Sequence, residues 1–190
     1  MDNINTGKFK LLLALSLAAL MLVTRSNYFD WASILPGASL AIFFLAGFYL
    51  PSYLSFIAFS ALAYGCDYWV LIVGGEGCFT SAYGFIFVGY FLVWRAAKWA
   101  GENCELARLL DAGKIFAAAV LSISGAFLIS NGSFYAFSGN FTDLSLADYS
   151  LRVVRYYFAY LTDPLMYLLA AATIHRLALR WQAANLEVSR

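Results

Sequence analysis

The sequence predicts an all-α polytopic membrane protein, a single domain over residues 1–190 with six transmembrane helices. Three observations support this prediction: 63% of the residues are hydrophobic, only 12% are charged, and the mean hydropathy is +0.74. A soluble domain usually carries about 25% charged residues. Apolar surface this abundant is expected to face lipid, and helices satisfy their own backbone groups there. The net charge of +1 argues against a nucleic-acid-binding role.

Six apolar segments are expected to cross the membrane. The first follows Lys8 and Lys10 but lacks the small-residue cleavage site of a signal peptide, so we expect it to be retained. Only Pro51 and Ser52 separate the second segment from the third, and one long bent helix, giving five spans, is the alternative. The expected spans are about 9–24, 38–50, 53–64, 81–94, 115–130 and 153–179.

The distribution of Lys and Arg predicts that both termini are cytoplasmic, because cytoplasmic loops carry the excess of positive charge. With six spans and an inside N-terminus, nine of the twelve basic residues lie inside. Only Arg25, Arg152 and Arg155 lie outside. Five spans would break this pattern, so the charge distribution favours six.

The loops on the outer side are predicted to be the larger ones. They cover about residues 25–37, 65–80 and 131–152. On the inner side, the second-to-third turn is minimal, and residues 95–114 resemble a short amphipathic surface helix. Long loops on one face usually carry recognition, so we expect function at the outer side.

Aromatic side chains recur in all three outer loops beside small polar, acidic and amide groups. Examples are Tyr28, Asp67, Phe134 and Tyr135. This mixture suits a large ligand that has apolar faces and amide edges. The alternative is an ordinary belt of aromatic residues at the membrane interface.

The cysteines are the most reactive groups in the sequence, which has no metalloprotease, hydrolase or phosphate-loop motif. Cys66 and Cys78 share the second outer loop, whereas Cys104 lies in the inner connection. A disulfide between Cys66 and Cys78 is one interpretation, since an outer compartment is oxidising. The other is a free Cys78 thiol, in a glycine-rich loop, that binds a soft or borderline metal. His175 is the only histidine, which excludes a histidine-rich metal site.

The dipeptide Asp163–Pro164 lies inside the sixth segment and has two interpretations. The helix continues through a kink and carries an acid within the membrane, a functional candidate. Alternatively, Asp163 caps a new helix that begins with Pro164.

Three segments resemble one family. LPGASLAIFFLAGFYL (35–50), GCFTSAYGF (77–85) and NGSFYAFSG (131–139) are similar to segments of the solitary BtuM-type vitamin B12 transporters of Gram-negative bacteria. These proteins are related to the S-components of energy-coupling factor transporters. The resemblance implies a multi-pass protein of the bacterial inner membrane that binds cobalamin on the periplasmic side and takes it up.

The same resemblance implies roles for individual residues. Cys78 matches the loop cysteine that ligates the cobalt of cobalamin, and Tyr83 matches a pocket tyrosine. Asp67 and Arg155 match further polar positions. Ala14 and Ala18, spaced as in AxxxA, match the small-residue motif by which S-components dock a coupling module.

The free-thiol interpretation and the family resemblance both indicate Cys78 as the metal-binding residue. Its thiolate is expected to replace one axial ligand of the cobalt in the transported cobalamin, and the protein itself holds no metal. Sulfur donation should weaken a trans cyanide, so decyanation of cyanocobalamin is a possible catalytic activity for Cys78. Two alternatives stay open: a membrane thiol or redox enzyme that uses Cys66 and Cys78, and a structural membrane protein without a ligand.

Overall fold

The described part of the chain is mainly helical. The computed structural model describes residues 3–25, 35–74, 80–106, 108–139, 141 and 145–188, and of these the side chains of residues 7 to 181 other than 73 and 74. Over these residues it forms six helices and no strand, which confirms the all-α prediction. The helices are α1 (Asn3–Arg25), α2 (Ser39–Tyr49), α3 (Tyr53–Gly74), α4 (Gly84–Asn103), α5 (Leu109–Phe137) and α6 (Leu146–Val188).

Three of the helices are long and apolar enough to cross a membrane. They contain the segments Gly7–Arg25, Tyr53–Ile72 and Leu109–Phe137. A fourth apolar helix, α2, has only 11 residues. Length and composition therefore indicate a membrane protein, and spanning by the remaining helices stays a prediction.

The second and third apolar segments form separate helices, so the single-bent-helix alternative is wrong. Helix α2 ends at Tyr49 and α3 begins at Tyr53. Pro51 has no backbone N–H to continue a helix. The Ser55 hydroxyl instead donates to the carbonyl of Leu50 at 2.5 Å, which ties the turn together.

Several helices extend further than hydropathy predicted, so the predicted loops are too long. Residues 65–74 continue α3, residues 131–137 end α5, and residues 146–152 begin α6. The predicted surface helix at 95–114 is also wrong, because α4 runs to Asn103 and α5 starts at Leu109. Polar residues lower hydropathy at these ends without breaking the backbone hydrogen bonds that define a helix.

Helix α6 continues through Asp163–Pro164, so the prediction of a new helix at that point is wrong. Pro164 lies inside the 43-residue helix and is buried. Tyr167, three residues later, donates its hydroxyl to the Pro36 carbonyl at 2.8 Å. This hydrogen bond holds α6 against the chain that leads into α2. It lies close to the position at which Pro164, having no N–H, leaves a backbone hydrogen bond of the helix unmade.

The core surrounds α2, whose middle is almost wholly buried. Helix α4 packs against α2 through glycines that let the backbones approach closely. A Cβ on Gly47 would overlap the carbonyl oxygen of Trp94, and one on Gly101 would lie 2.7 Å from the Phe48 carbonyl oxygen. Other side chains that form this core include Ile42, Phe43, Val93, Ile123 and Ala126.

The helices alternate in direction, which gives the bundle two distinct ends. At one end Arg25, the last residue of α1, contacts Ser39 at the start of α2. We call this the Arg25 end. At the other, Tyr49 at the end of α2 contacts His175 of α6, and we call it the His175 end.

Candidate functional site

A half-buried ion pair organises the Arg25 end. Arg25 donates from Nε and Nη2 to the two carboxylate oxygens of Asp67, each at 2.6 Å. The two side chains are only 15% and 22% exposed. A planar guanidinium matches a carboxylate in this two-bond geometry, so the pair fixes the end of α1 against α3.

Arg25 also links the next two helices. Its Nη1 donates to Ser39 Oγ and to the Tyr90 hydroxyl, both at 2.7 Å. One side chain on α1 therefore joins α2, α3 and α4. Sequence reasoning treated Arg25 only as one of three outer basic residues, and its position at the end of an apolar helix was the available signal.

Asp67 and Tyr83, which the sequence singled out separately, contact each other. The Tyr83 hydroxyl donates to Asp67 Oδ2 at 2.6 Å, and the Tyr83 side chain is buried at 8% exposure. Asp67 thus accepts from both Arg25 and Tyr83, and its main observed role is to position these two side chains. The neighbouring Cys66 is a buried free cysteine.

A cavity of about 280 Å³ opens beside Tyr83. It lies where the start of α4, the end of α5 and the start of α6 meet. Two side chains expected in a binding site, Tyr83 and Phe134, line the same cavity. Its lining is completed by Thr80, Ala82, Ile86, Ser130, Asn131 and Arg152.

Arg152 is held in this cavity wall by aromatic rings. Its guanidinium carbon lies 5.3 Å, 5.2 Å and 5.0 Å from the ring centroids of Phe134, Phe141 and Tyr156. These distances are within cation–π range. The sequence left two interpretations open for Arg152 and Arg155, as lipid-headgroup anchors or as side chains that point into a pocket, and Arg152 lines the cavity.

Two other predicted site residues, Arg155 and Tyr135, do not line the described part of the cavity. Arg155 is exposed and lies against the Tyr156 ring at 5.5 Å. The Tyr135 hydroxyl accepts from the Ser145 backbone N–H at 2.9 Å and donates to its carbonyl at 3.1 Å, so Tyr135 ties α5 to the start of α6. Cys78 and Tyr28 lie outside the described residues.

Two further predicted features have defined surroundings. Ala14 and Ala18 are partly buried and pack against the core of the chain itself. Asp163 lines a cavity of about 190 Å³ together with Ser39, Tyr90 and Tyr160. In the parts of the chain that are described, no three His, Cys, Asp or Glu side chains come together as a metal site.

The Arg25 end therefore combines a rigid polar cluster with a cavity of mixed aromatic and polar lining. Neither a comparison with models of known protein families nor one with curated proteins gave a match. Functional conclusions depend on the three sequence segments that resemble a family and on the geometry of this cavity.

Proposed function

We propose that this protein binds cobalamin and takes it up across the bacterial inner membrane. The observation that carries the proposal is that Tyr83 and Phe134 line one cavity. They belong to GCFTSAYGF and NGSFYAFSG, two segments that are far apart in sequence and resemble the same transporter family. In this proposal all six helices cross the membrane in an S-component-like arrangement, both termini are cytoplasmic, and the Arg25 end faces the periplasm.

The chemistry of the cavity supports a ligand of this class. Aromatic faces suit the apolar corrin ring, and polar side chains suit the amides at its rim. At about 280 Å³ the cavity is slightly below the range of roughly 300–1,000 Å³ that holds drug-sized ligands. It therefore accommodates one edge of a corrinoid, with the rest of the ligand outside the cavity.

Cys78 supplies the proposed contact with the cobalt of the substrate. Thr80, two residues later in the chain, lines the cavity, and two residues span at most about 7 Å. A thiolate is a good ligand for a transition metal and replaces the nucleotide base at one axial position of the cobalt. In cyanocobalamin, the trans cyanide then leaves with its electron pair and takes up the proton that the thiol lost. Water occupies the vacated position, and cobalt keeps its oxidation state.

The visible spectrum of the purified protein with cyanocobalamin tests this proposal. We expect corrinoid to co-purify and its spectrum to differ from that of the free vitamin, because sulfur replaces an axial ligand. Cys78→Ser should abolish the difference. The matched control is Cys66→Ala, which should keep it, since Cys66 is a buried free thiol. An unchanged spectrum without co-purified corrinoid would sink the proposal.

Growth of a strain that needs vitamin B12 and lacks another importer tests uptake in cells. Expression of the parent chain should restore growth at low cobalamin, and Tyr83→Ala should reduce it. Loss of activity in both Cys66→Ala and Cys78→Ser would instead favour a dithiol enzyme. Full tolerance of Tyr83→Ala and Asp67→Ala would favour a structural membrane protein.

In this proposal a coupling module docks on α1. Ala14 and Ala18 already contact the core of the chain, so a partner would reach them beside the exposed Leu11 and Leu15. Ala14→Leu should lower uptake in the growth assay without abolishing binding of cobalamin to the purified protein. Equal loss of binding and uptake would assign Ala14 to packing alone.

A further inference from the structure

An apolar groove lies between α5 and α6 on the side of the bundle nearer the His175 end. It has a volume of about 300 Å³, and nine of the eleven residues that line it are apolar. Ala119 in the groove is buried, whereas Phe116 and Leu169 are 52% and 59% exposed. The groove therefore extends from the core to the outer surface of the two helices.

The groove lies beyond the hydrogen bonds that join α5 to α6. Among the described side chains, these bonds are Ser124 to Tyr157 at 2.9 Å and Ser130 to Tyr160 at 3.3 Å, both on the Arg25 side of the groove. Nearer the His175 end, alanines from both helices line the groove, for example Ala172. Because a methyl side chain is short, it leaves space between the helices that another apolar group can fill.

The length of the groove matches one leaflet of a bilayer. On α6 it extends from Leu165 to Arg176, which are eleven residues apart and therefore separated by about 16 Å along the helix. The hydrocarbon core of a bilayer is roughly 30 Å thick, so one leaflet contributes about 15 Å. In the proposed six-span topology the His175 end is cytoplasmic, and the groove lies at the depth of the cytoplasmic leaflet.

Arg176 places a positive charge at the His175 end of the groove. Its side chain is exposed, and Nη2 donates to the Leu106 carbonyl at 3.3 Å. Two other cations near the start of α5, Arg108 and Lys114, are each paired with a carboxylate. No carboxylate among the described side chains pairs with Arg176. The groove thus ends at an uncompensated cation, which is complementary to an anionic group.

We propose that this groove binds an anionic phospholipid of the cytoplasmic leaflet. One acyl chain lies between α5 and α6, and the headgroup phosphate accepts hydrogen bonds from Arg176. Basic pockets between membrane helices on the cytoplasmic side suit anionic headgroups. A bound lipid fills the space between the two helices at the end where side-chain hydrogen bonds do not join them. This site is separate from the cavity at the Arg25 end.

Native mass spectrometry of the purified, delipidated full-length protein tests the site. The probes are phosphatidylglycerol, which is anionic, and phosphatidylethanolamine with the same acyl chains, which is zwitterionic. We expect the first phosphatidylglycerol to bind about fivefold more tightly, the effect of one basic side chain on an anionic lipid. Excess inorganic phosphate should not displace it, because free phosphate leaves the apolar groove empty.

Charge variants assign the preference to Arg176. Arg176→Gln should reduce the preference for the anionic lipid to less than about twofold. Arg176→Lys keeps the positive charge and should retain the preference. The matched control is Arg95→Gln, which removes an exposed charge from α4 that does not line the groove. This control should bind both lipids as the parent does.

A second pair of variants tests the groove itself. Ala172→Phe places an aromatic ring in the groove, so both lipids should bind at least about fivefold more weakly as acyl-chain burial is lost. Ala170→Phe is the control, because Ala170 is an exposed residue of α6 that does not line the groove. Its lipid binding should match that of the parent. Thermal unfolding midpoints near that of the parent show that each variant is folded.

Several results would overturn the proposal. They are equal binding of the two lipids to the parent, an anionic preference that persists in Arg176→Gln, and lipid binding that Ala172→Phe leaves unchanged. Displacement of the lipid by inorganic phosphate would assign Arg176 to a soluble anion. A lipid-free dimer that Ala172→Phe abolishes would assign the groove to a second copy of the chain. The experiment contains no cobalamin, so its result does not depend on whether the proposed function is correct.

Discussion

At the scale of single residues, the Arg25–Asp67 pair has the shortest N–O distance of the ion pairs described in the chain. Its side chains are 15% and 22% exposed, and removing one partner leaves a half-buried charge poorly matched. Asp67→Asn is expected to lower the free energy of unfolding by about 3 kcal/mol, the lower end of the cost of breaking a buried pair. Chemical or thermal unfolding in detergent measures the change.

The matched control is an exposed ion pair with a comparable N–O distance. Glu105 and Arg108 are 3.0 Å apart, and their side chains are 65% and 70% exposed. Glu105→Gln should therefore change stability by less than about 1 kcal/mol. Similar losses for Asp67→Asn and Glu105→Gln would contradict the idea that burial makes the Arg25 pair structural.

Arg152 and Arg155 offer a second comparison of residues. The family resemblance points to Arg155, but Arg152 lines the cavity and Arg155 is exposed. We expect Arg152→Gln to weaken cobalamin binding about tenfold and Arg155→Gln to weaken it less. Calorimetry on the two purified variants decides between them, and a larger loss for Arg155→Gln would favour the assignment from sequence.

At the scale of helices, close packing of α2 against α4 depends on glycine. A Cβ on Gly47 would overlap the backbone of Trp94, whereas a Cβ on Gly65 in α3 meets nothing within 4 Å. Gly47→Ala is expected to destabilise the protein by about 1–3 kcal/mol, as overpacking usually does. Gly65→Ala should be neutral or slightly stabilising, because alanine favours helix. Thermal unfolding of both variants checks this, and equal midpoints would argue against the tight crossing.

The order of the helices could be predicted from sequence, but their ends and contacts could not. Each of the six helices overlaps an apolar segment that hydropathy predicted. It missed the Asp67 part of α3, because hydropathy follows composition whereas a helix ends where backbone hydrogen bonding ends. The contact of Arg25 with Asp67, 42 residues away, depends on how helices pack. No local pattern marks such a partner, and only the resemblance linked Tyr83 to a pocket.

At the scale of the whole molecule, the proposed topology places the two ends of the bundle in different compartments. Leu146 at the Arg25 end is 88% exposed, and the Arg108 side chain at the His175 end is 70% exposed. In a chain without native cysteines, a membrane-impermeant maleimide should label Leu146→Cys in cells with a permeable outer membrane. It should label Arg108→Cys only after lysis. The reverse pattern would show inverted orientation, and labelling of both before lysis would rule out this six-span topology.

The short buried helix α2 has a consequence for the proposed topology. Its 11 residues rise about 16 Å, about half the roughly 30 Å of a bilayer's hydrocarbon core. In that topology the non-helical residues 35–38 and 50–52 on either side of α2 must complete the crossing. Carbonyls of such residues need donors from within the protein, and the hydroxyls of Tyr167 and Ser55 supply them to Pro36 and Leu50.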